Sequence, residues 1–199
     1  MITIGLTGSI GMGKSATANL FKDFGVPVFD ADKCVHEMLI NNISIMKAIY
    51  NYFPEAMIKH KRKNFIDRKI LGNIVFKDKN KKKVLERIIH PEVNLQRKKW
   101  LYLAQRHKQK LICYDVPLLF ETNGEKRCDI IVVASCPFFI QKQRVLRRPD
   151  MTDVRFYNIL KNQMDDFKKR KKAHFIINTG NGHRFARNQV KSLIGKILL

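Results

Sequence analysis

Short apolar runs alternate with longer amphipathic stretches along most of this 199-residue chain. The apolar runs have the length and β-branched content of strands, whereas the amphipathic stretches repeat their apolar residues every three to four positions, as helices do. Five strands are predicted in this way, at Ile2–Thr7, Val26–Phe29, Leu111–Asp115, Ile130–Ala134 and His174–Asn178. Because strands that alternate with helices form parallel sheets, the pattern predicts an α/β protein whose parallel sheet is covered by helices.

The stretch between Lys33 and Lys110 contains no convincing strand, and its apolar residues recur at helical spacing. His90-Pro91 predicts the start of a long helix within it, since proline is favoured in a first turn. We therefore expect a helical insertion at residues 33–109, within a core formed by residues 1–32 and 110–199. In the second half of that core, Pro137 opens one helix, and Thr152-Asp153 opens another that runs to about Lys171.

The turn after the first strand carries the strongest motif of the chain. Gly8–Ser15 fits G-x-x-x-x-G-K-[ST], a phosphate-binding P-loop, and it has the strand before it and the helix after it that the motif requires. Glycines let the backbone approach a phosphate closely, and the helix start adds a positive dipole. Lys14 is predicted to reach the β- and γ-phosphates of ATP, and the Ser15 hydroxyl to bind Mg²⁺.

Carboxylates follow two of the predicted strands. Asp30 and Asp32 come after the second strand, at the sheet edge where ligands of open α/β folds bind. Asp32 is the candidate that orients an acceptor hydroxyl and accepts its proton; the alternative is that either residue is only a helix N-cap. Asp115 ends the third strand, as a Walker B aspartate does, and is predicted to hold Mg²⁺ through water; the alternative is a turn residue.

Cationic groups for a developing phosphate charge are offered by three arginines. Arg144, Arg147 and Arg148 lie on a helix that breaks at Pro149, where guanidinium groups can clamp phosphate oxygens. Two of the three could equally be surface residues. His90, a single histidine before a proline, is interpreted as a structural or substrate-side residue rather than a proton carrier.

Composition adds one unusual feature, a formal net charge of +22. Much of it lies in lysine-rich runs at residues 59–63, 77–83 and 168–172, which favour solvated helix faces over a nucleic-acid surface. The four cysteines are scattered without a C-x-x-C pair, Met1 leads directly into a strand, and no apolar run is long enough to span a bilayer. We expect a cytoplasmic protein without membrane or nucleic-acid partners.

Several motifs occur in an order that resembles the dephospho-CoA kinase family. They are Leu6–Ser15, Asp30-Ala31-Asp32, Arg68 with Leu71, His90-Pro91, Val116–Glu121, and Gln143-Arg144 to Arg148. The resemblance covers nearly the whole chain. It implies transfer of the ATP γ-phosphate to the ribose 3′-hydroxyl of dephospho-CoA, with Mg²⁺. It also implies a P-loop NTPase-type three-layer core with a five-stranded parallel sheet, a helical substrate-binding insertion and a lid at about residues 138–170.

The same resemblance implies roles for individual residues. The ATP-binding residues would be Gly11, Met12, Gly13, Lys14, Ser15, Ala16, Arg144, Arg148 and Asn178. The acceptor-binding residues would be Thr7, Asp32, Arg68, His90, Pro117 and Leu118. Lys14, Asp32, Arg144 and Arg148 would be catalytic. Gln163 and Lys169 also fall where the family has polar residues after the lid.

This chain departs from the family pattern in four places. Met12 and Ala16 replace a common serine and threonine, Pro149 replaces an aspartate, and His174 replaces an aspartate before the last strand. The phosphate lysine and the metal hydroxyl are kept, so activity is expected.

Two alternative functions compete with this prediction. One is another small-molecule P-loop kinase, of shikimate or nucleotide type, which the long insertion argues against. The other is a basic nucleic-acid-binding protein with a vestigial P-loop, which would bind DNA or RNA in a salt-sensitive manner. A monomer or weak homo-oligomer that binds only small molecules is expected.

Overall fold

A computed structural model of the chain describes residues 1–59 and 64–198, so most of the lysine-rich run at residues 59–63 lies outside the described residues. The strands are β1 (Ile2–Thr7), β2 (Val28–Asp30), β3 (Met57–Lys59), β4 (Asn64–Ile66), β5 (Leu111–Asp115), β6 (Ile130–Ser135) and β7 (Phe175–Asn178). The α-helices are α1 (Lys14–Asp23), α2 (Ala31–Asn41), α3 (Ile43–Tyr52), α4 (Arg68–Lys77), α5 (Lys79–Arg106), α6 (Phe138–Leu146), α7 (Asp153–Lys161), α8 (Asp166–Lys171) and α9 (His183–Leu198).

The described residues form two compact units. The core unit contains residues 1–30 and 104–199, and the inserted unit contains residues 31–103. The sheet belongs to the first of them, and the hairpin of β3 and β4 to the second. Substrate binding by the insertion at residues 33–109 and a lid at about residues 138–170 stay predictions.

The sheet of the core unit has the strand order β2-β5-β1-β6-β7, and every neighbouring pair is parallel. The five strands predicted from the apolar runs are thus confirmed. All five residues of β5 are buried, as are the last five of β6, which matches strands whose two faces are both covered. Asp115 on β5 lies in register with Leu6 on β1 and Asp30 on β2, so that the ends of three strands meet at one edge.

Alternating residues of β6 show why the core unit has three layers. Val132 packs in a cluster with Leu20 of α1 and Val190 of α9 on one face of the sheet. Ile131 and Val133 face the opposite way and pack with Leu119, Phe120 and Met164. Because successive strand side chains point to opposite faces, each face has its own apolar cover. The predicted three-layer α/β class is therefore confirmed.

His174, which stands where the family resemblance implies an aspartate, supports the start of β7. His174 Nδ1 accepts a hydrogen bond of 2.9 Å from the backbone N–H of Ile131, at the start of β6. A carboxylate at this position could accept the same bond. The imidazole therefore supplies a hydrogen-bond acceptor at this strand end, as the aspartate expected from the family would.

The inserted unit is built mainly from α2–α5 around a small apolar cluster of Leu39, Ile45, Met46, Ile49, Phe53, Ala56, Ile66 and Leu71. The prediction that it lacks strands is wrong, because β3 pairs antiparallel with β4, from Met57 opposite Ile66 to Lys59 opposite Asn64. These strands have only three residues each, which is too short for a period-two pattern to stand out from helical spacing.

Two helix boundaries also differ from the prediction. Pro91 lies inside the 28-residue helix α5, which begins at Lys79 rather than at the proline. A proline removes one backbone donor from a helix, and Pro91 is exposed, so water can satisfy that turn. The predicted helix from Thr152 to Lys171 is two helices, α7 and α8, each with its own side-chain cap from Thr152 and Asp165. No helix of the described ranges is long and apolar enough to cross a membrane.

Candidate active site

The P-loop connects β1 to α1 and is shaped by close approaches that only glycine allows. Gly13 precedes α1 with φ of 88°, in the left-handed region, and a Cβ there would lie 2.7 Å from Thr179 Oγ1. At Gly8 a Cβ would lie 2.7 Å from the carbonyl oxygen of Ala134, on β6. Within the described residues, no side chain caps the start of α1. Its first N–H groups can therefore bind an anion.

Lys14, at the end of the P-loop, and Asp115, at the end of β5, form an ion pair. Lys14 Nζ donates to Asp115 Oδ1 at 2.6 Å, and the Asp115 side chain is only 2% exposed. The P-loop and β5 bring these two predicted residues together although they are 101 positions apart. Ser15 is exposed on the first turn of α1. The aspartate thus holds the lysine that is predicted to bind phosphates.

Thr179 forms the floor beneath the P-loop. Its hydroxyl donates to the carbonyl oxygen of Met12 at 2.8 Å, and Arg144 donates to the Thr179 hydroxyl at 2.9 Å and to its carbonyl oxygen at 2.7 Å. Arg144 is therefore oriented by the residue that follows β7. Arg148 and Arg147 are exposed in the bend after α6, so the structure separates one fixed arginine from two exposed ones.

Met12, a departure from the family pattern, occupies an interior position. It is 3% exposed, and its Sδ accepts a hydrogen bond of 3.2 Å from the backbone N–H of Cys136. The two sulfur atoms lie 3.6 Å apart. Burial raises the pKa of the Cys136 thiol. A large apolar side chain is thus accommodated in the interior, behind the loop.

The loop after β5 contacts the end of β1. Thr7 is fully buried, and its hydroxyl donates to the carbonyl oxygen of Pro117 at 3.0 Å. Leu118 follows, and its carbonyl oxygen accepts a hydrogen bond of 2.8 Å from the Thr122 hydroxyl. Two residues predicted from the family resemblance, Thr7 and Pro117, are therefore in direct contact beside the P-loop strand.

Asn178 ends β7, with its side-chain oxygen accepting a hydrogen bond of 2.9 Å from the backbone N–H of Gly180. Its backbone N–H and carbonyl bind the side chain of Gln189, at 3.0 Å each. Asn178 therefore shapes the turn that leads through Thr179 to the P-loop.

Three predicted acceptor-side residues belong to the inserted unit and are exposed. Asp32 lies in the first turn of α2, so Asp30, and not Asp32, has the position before the helix that an N-cap needs. Arg68 begins α4, behind the capping side chain of Asp67. His90 lies on α5 and lines a hollow of about 470 Å³ together with Lys83, Glu86, Arg87, Pro91 and Asn94.

Sequence reasoning missed the residues that hold the P-loop from behind. These are Thr179, Gln141 and Cys136. Thr179 could have been found, because it directly follows a strand at the ligand edge of the sheet. Gln141 lies within an amphipathic helix and is 2% exposed, and nothing in its spacing distinguishes it from a surface glutamine.

Comparison with known proteins gives one consistent result. The sequence model of the dephospho-CoA kinase family matches residues 2–184. Dephospho-CoA kinases of Bartonella quintana and Agrobacterium fabrum are each 43% identical to this chain, covering 100% and 99% of it and 99% and 98% of their own lengths.

Solved structures agree with the sequence match. Protein TT1252 of Thermus thermophilus has a TM-score of 0.82 at 28% identity, covering 98% of this chain and 97% of its own. The dephospho-CoA kinase of Campylobacter jejuni has a TM-score of 0.70 at 29% identity, covering 98% and 96%. A shikimate kinase of Bacteroides thetaiotaomicron, with a TM-score of 0.50 at 13% identity and coverage of 100% and 99%, shares the fold alone.

Proposed function

Since this chain belongs to the dephospho-CoA kinase family, it phosphorylates the ribose 3′-hydroxyl of dephospho-CoA with ATP, and we propose which of its residues perform each part of that reaction. The products are coenzyme A and ADP, in the last step of coenzyme A biosynthesis. Shikimate or nucleotide phosphorylation and nucleic-acid binding are not favoured. The observation that carries the assignment of roles is the meeting of Lys14 and Asp115 beneath a glycine-shaped P-loop.

The P-loop, Arg144 and Arg148 are proposed to bind the nucleotide. The backbone of Gly11–Ala16 surrounds the phosphates, and Lys14 moves from Asp115 to the β- and γ-phosphate oxygens. Arg144, held by Thr179, presents its guanidinium from the fixed part of the lid predicted at about residues 138–170, whereas Arg148 closes over the triphosphate from the exposed bend after α6. Asn178 lies toward the adenine.

A magnesium ion fits the oxygen donors at this site. Residues 1–59 and 64–198 contain no group of three or more His, Cys, Asp or Glu side chains that could hold a metal unaided. The Ser15 hydroxyl and, through water, the Asp115 carboxylate are hard oxygen donors of the kind that Mg²⁺ prefers, with ATP phosphates supplying the rest. When bound, the ion neutralises charge on the β- and γ-phosphate oxygens.

Phosphoryl transfer itself needs orientation of the acceptor. The acceptor 3′-oxygen forms a bond to the γ-phosphorus while the bond from that phosphorus to the β–γ bridging oxygen breaks. Asp32 hydrogen-bonds the hydroxyl and takes its proton, and ADP leaves with the bridging oxygen. Arg68, His90, Thr7, Pro117 and Leu118 bind the rest of the acceptor.

An ADP-release assay with several acceptors tests this proposal. Dephospho-CoA, shikimate and a nucleoside monophosphate are compared at equal concentration, and the phosphorylated product is identified by its mass. We expect turnover with dephospho-CoA alone, and Lys14→Ala protein prepared in parallel reports any contaminating activity. Absence of dephospho-CoA turnover in the unmodified protein would contradict the proposal.

The charge of +22 is proposed to attract polyphosphate substrates rather than nucleic acid or membrane. We expect a cytoplasmic monomer or weak homo-oligomer that gives no gel shift with DNA or RNA at physiological salt. Binding of either nucleic acid under those conditions would require a second function.

A further inference from the structure

The four residues between α7 and α8 contact both loops of the proposed active site. Gln163 Oε1 accepts a hydrogen bond of 3.0 Å from the backbone N–H of Ile10, in the P-loop. The next residue, Met164, donates its backbone N–H to Glu121 Oε1 at 2.6 Å. Adjacent residues therefore hold the P-loop and the far end of the loop after β5.

At Ile10 the P-loop backbone is held on both sides. Its carbonyl oxygen accepts a hydrogen bond of 2.8 Å from Gln141 Nε2, while its N–H donates to Gln163. Ile10 immediately precedes Gly11, whose φ of 78° begins the turn that faces the phosphates. Because both backbone polar groups of Ile10 are hydrogen-bonded, the peptide plane that carries the N–H of Gly11 is fixed as well.

A buried cation completes the second contact. Lys169 is 0% exposed, and its Nζ lies 3.1 Å from Glu121 Oε1 and 3.3 Å from the carbonyl oxygen of Pro117. That same carbonyl accepts the hydrogen bond from Thr7. Burying an ammonium group is costly unless it is paired, so this arrangement strongly restricts the position of the loop.

We propose that Gln163 and Lys169 are positioning residues: Gln163 fixes the P-loop to the segment between α7 and α8, and Lys169 fixes the Val116–Glu121 loop to α8. Through Gln163 the segment sets the P-loop backbone that binds ATP. Through Lys169, α8 sets the position of the Pro117 carbonyl and of the acceptor-side loop around it. The assignment of the Val116–Glu121 loop to the acceptor rests on the function proposed above. The contact between Gln163 and the P-loop does not depend on it.

The first arm of the test measures ATP affinity by calorimetry without acceptor. Gln163→Leu removes the acceptor of the Ile10 N–H, and we expect its Kd for ATP to rise about 3- to 10-fold, as for the loss of one well-formed hydrogen bond. Gln163→Glu keeps a side-chain oxygen and should stay within about 2-fold of the unmodified protein. Gln105→Leu, at an exposed glutamine of α5, is the matched control and should change nothing.

The second arm measures steady-state kinetics of Lys169→Met. We expect the KM for dephospho-CoA to rise about 10-fold, with the Kd for ATP changed less than 2-fold. The double variant Glu121→Gln with Lys169→Met retains an acceptor for the Met164 N–H and removes both charges. It should fold even where the single variant does not, and should show the same raised KM.

The outcomes separate positioning from general stability. Equal ATP affinities for Gln163→Leu and unmodified protein, or equal losses for the leucine and glutamate variants, would overturn the role of Gln163. A lower melting temperature without the split between ATP Kd and acceptor KM would overturn positioning altogether. If unmodified protein turns over no dephospho-CoA while the ATP arm behaves as expected, the proposed function fails and the Gln163 contact stands.

Discussion

Lys14 and Asp32 are both proposed to act on one phosphoryl transfer, yet the protein surrounds them very differently. Lys14 belongs to the core unit and pairs with an aspartate that is 2% exposed, above a floor formed by the buried Thr179. Asp32 belongs to the inserted unit and is exposed, as are Arg68 and His90. The nucleotide side is therefore built by contacts that also stabilise the fold. The acceptor residues of the inserted unit are surface groups, which are proposed to gain partners when substrate binds.

This difference predicts that mutations on the two sides separate activity from stability. Changes at the nucleotide side should lower both, because the same hydrogen bonds serve both. Changes at the exposed acceptor residues of the inserted unit should lower activity alone. The following variants are ordered by the size of the expected effect.

Lys14→Ala should give the largest loss. Removal of a cation from the transferring phosphate is expected to lower kcat by about 10³- to 10⁵-fold. It also leaves the buried Asp115 carboxylate without its ammonium partner, at a cost of about 1–3 kcal/mol in unfolding free energy. Urea unfolding and the ADP-release assay measure the two effects, with exposed Lys22→Ala on the same helix as control. Retained turnover would show that Lys14 does not act on the phosphates.

Asp32→Asn is expected to lower kcat by about 10²- to 10⁴-fold, the usual contribution of a general base. Its unfolding free energy should change by less than about 0.5 kcal/mol, since the side chain is exposed. ATP affinity should be unchanged. Glu37→Gln, on the same helix, is the control. If kcat barely changes, another group orients the acceptor hydroxyl.

Thr179→Val tests whether the contacts behind the P-loop serve both ATP binding and stability. The variant keeps the shape of the side chain but removes the hydroxyl that joins Arg144 to the carbonyl of Met12. We expect about 1–3 kcal/mol lower unfolding free energy and a weaker affinity for ATP. Thr179→Ser should restore both properties. A valine variant that binds ATP normally would show that the floor of the P-loop is not needed to shape it.

Asp166→Asn should have the smallest effect, an increase in stability that depends on pH. Burial raises the pKa of Asp166 above its ordinary value of 3.8, and its Oδ1 is buried without a hydrogen-bond partner among the described residues. A carboxyl with a raised pKa costs native stability once the pH exceeds that pKa, and the cost disappears when it is protonated. The gain in melting temperature should therefore be largest near pH 7 and shrink toward pH 4.

The sequence indicated the P-loop and its neighbouring strands more readily than the residues that hold the P-loop in place. The P-loop, Asp115 and the five strands follow from local patterns, because glycine spacing and apolar runs are properties of neighbouring residues. Gln141, Gln163 and Thr179 act on the P-loop across more than 130 positions, and no local pattern reports such contacts. Only the resemblance pointed to Gln163, and it did not supply the partner.

Errors in the predicted fold have the same origin. The hairpin of β3 and β4 is stabilised by pairing between strands of three residues, and Pro91 is tolerated inside α5 because the helix is exposed at that turn. Both outcomes depend on the surroundings of a residue rather than on its type. Among the proposed site residues of the inserted unit, Asp32 could be predicted from its place after a strand, whereas Arg68 could be named only by resemblance, since a lone arginine on a helix has no distinguishing spacing.

The position of β1 has a consequence for synthesis of the protein on the ribosome. This strand is made before both of its neighbours, β5 and β6, which come more than 100 residues later. The hydroxyl that holds the Met12 carbonyl is 167 positions away. Such long-range pairing slows folding, because the entropy lost in closing so long a loop opposes formation of the contact. A nascent chain that ends before Thr179 carries the whole phosphate-binding motif without the residues that shape it. Nucleotide affinity should therefore emerge late in translation, although its motif emerges first.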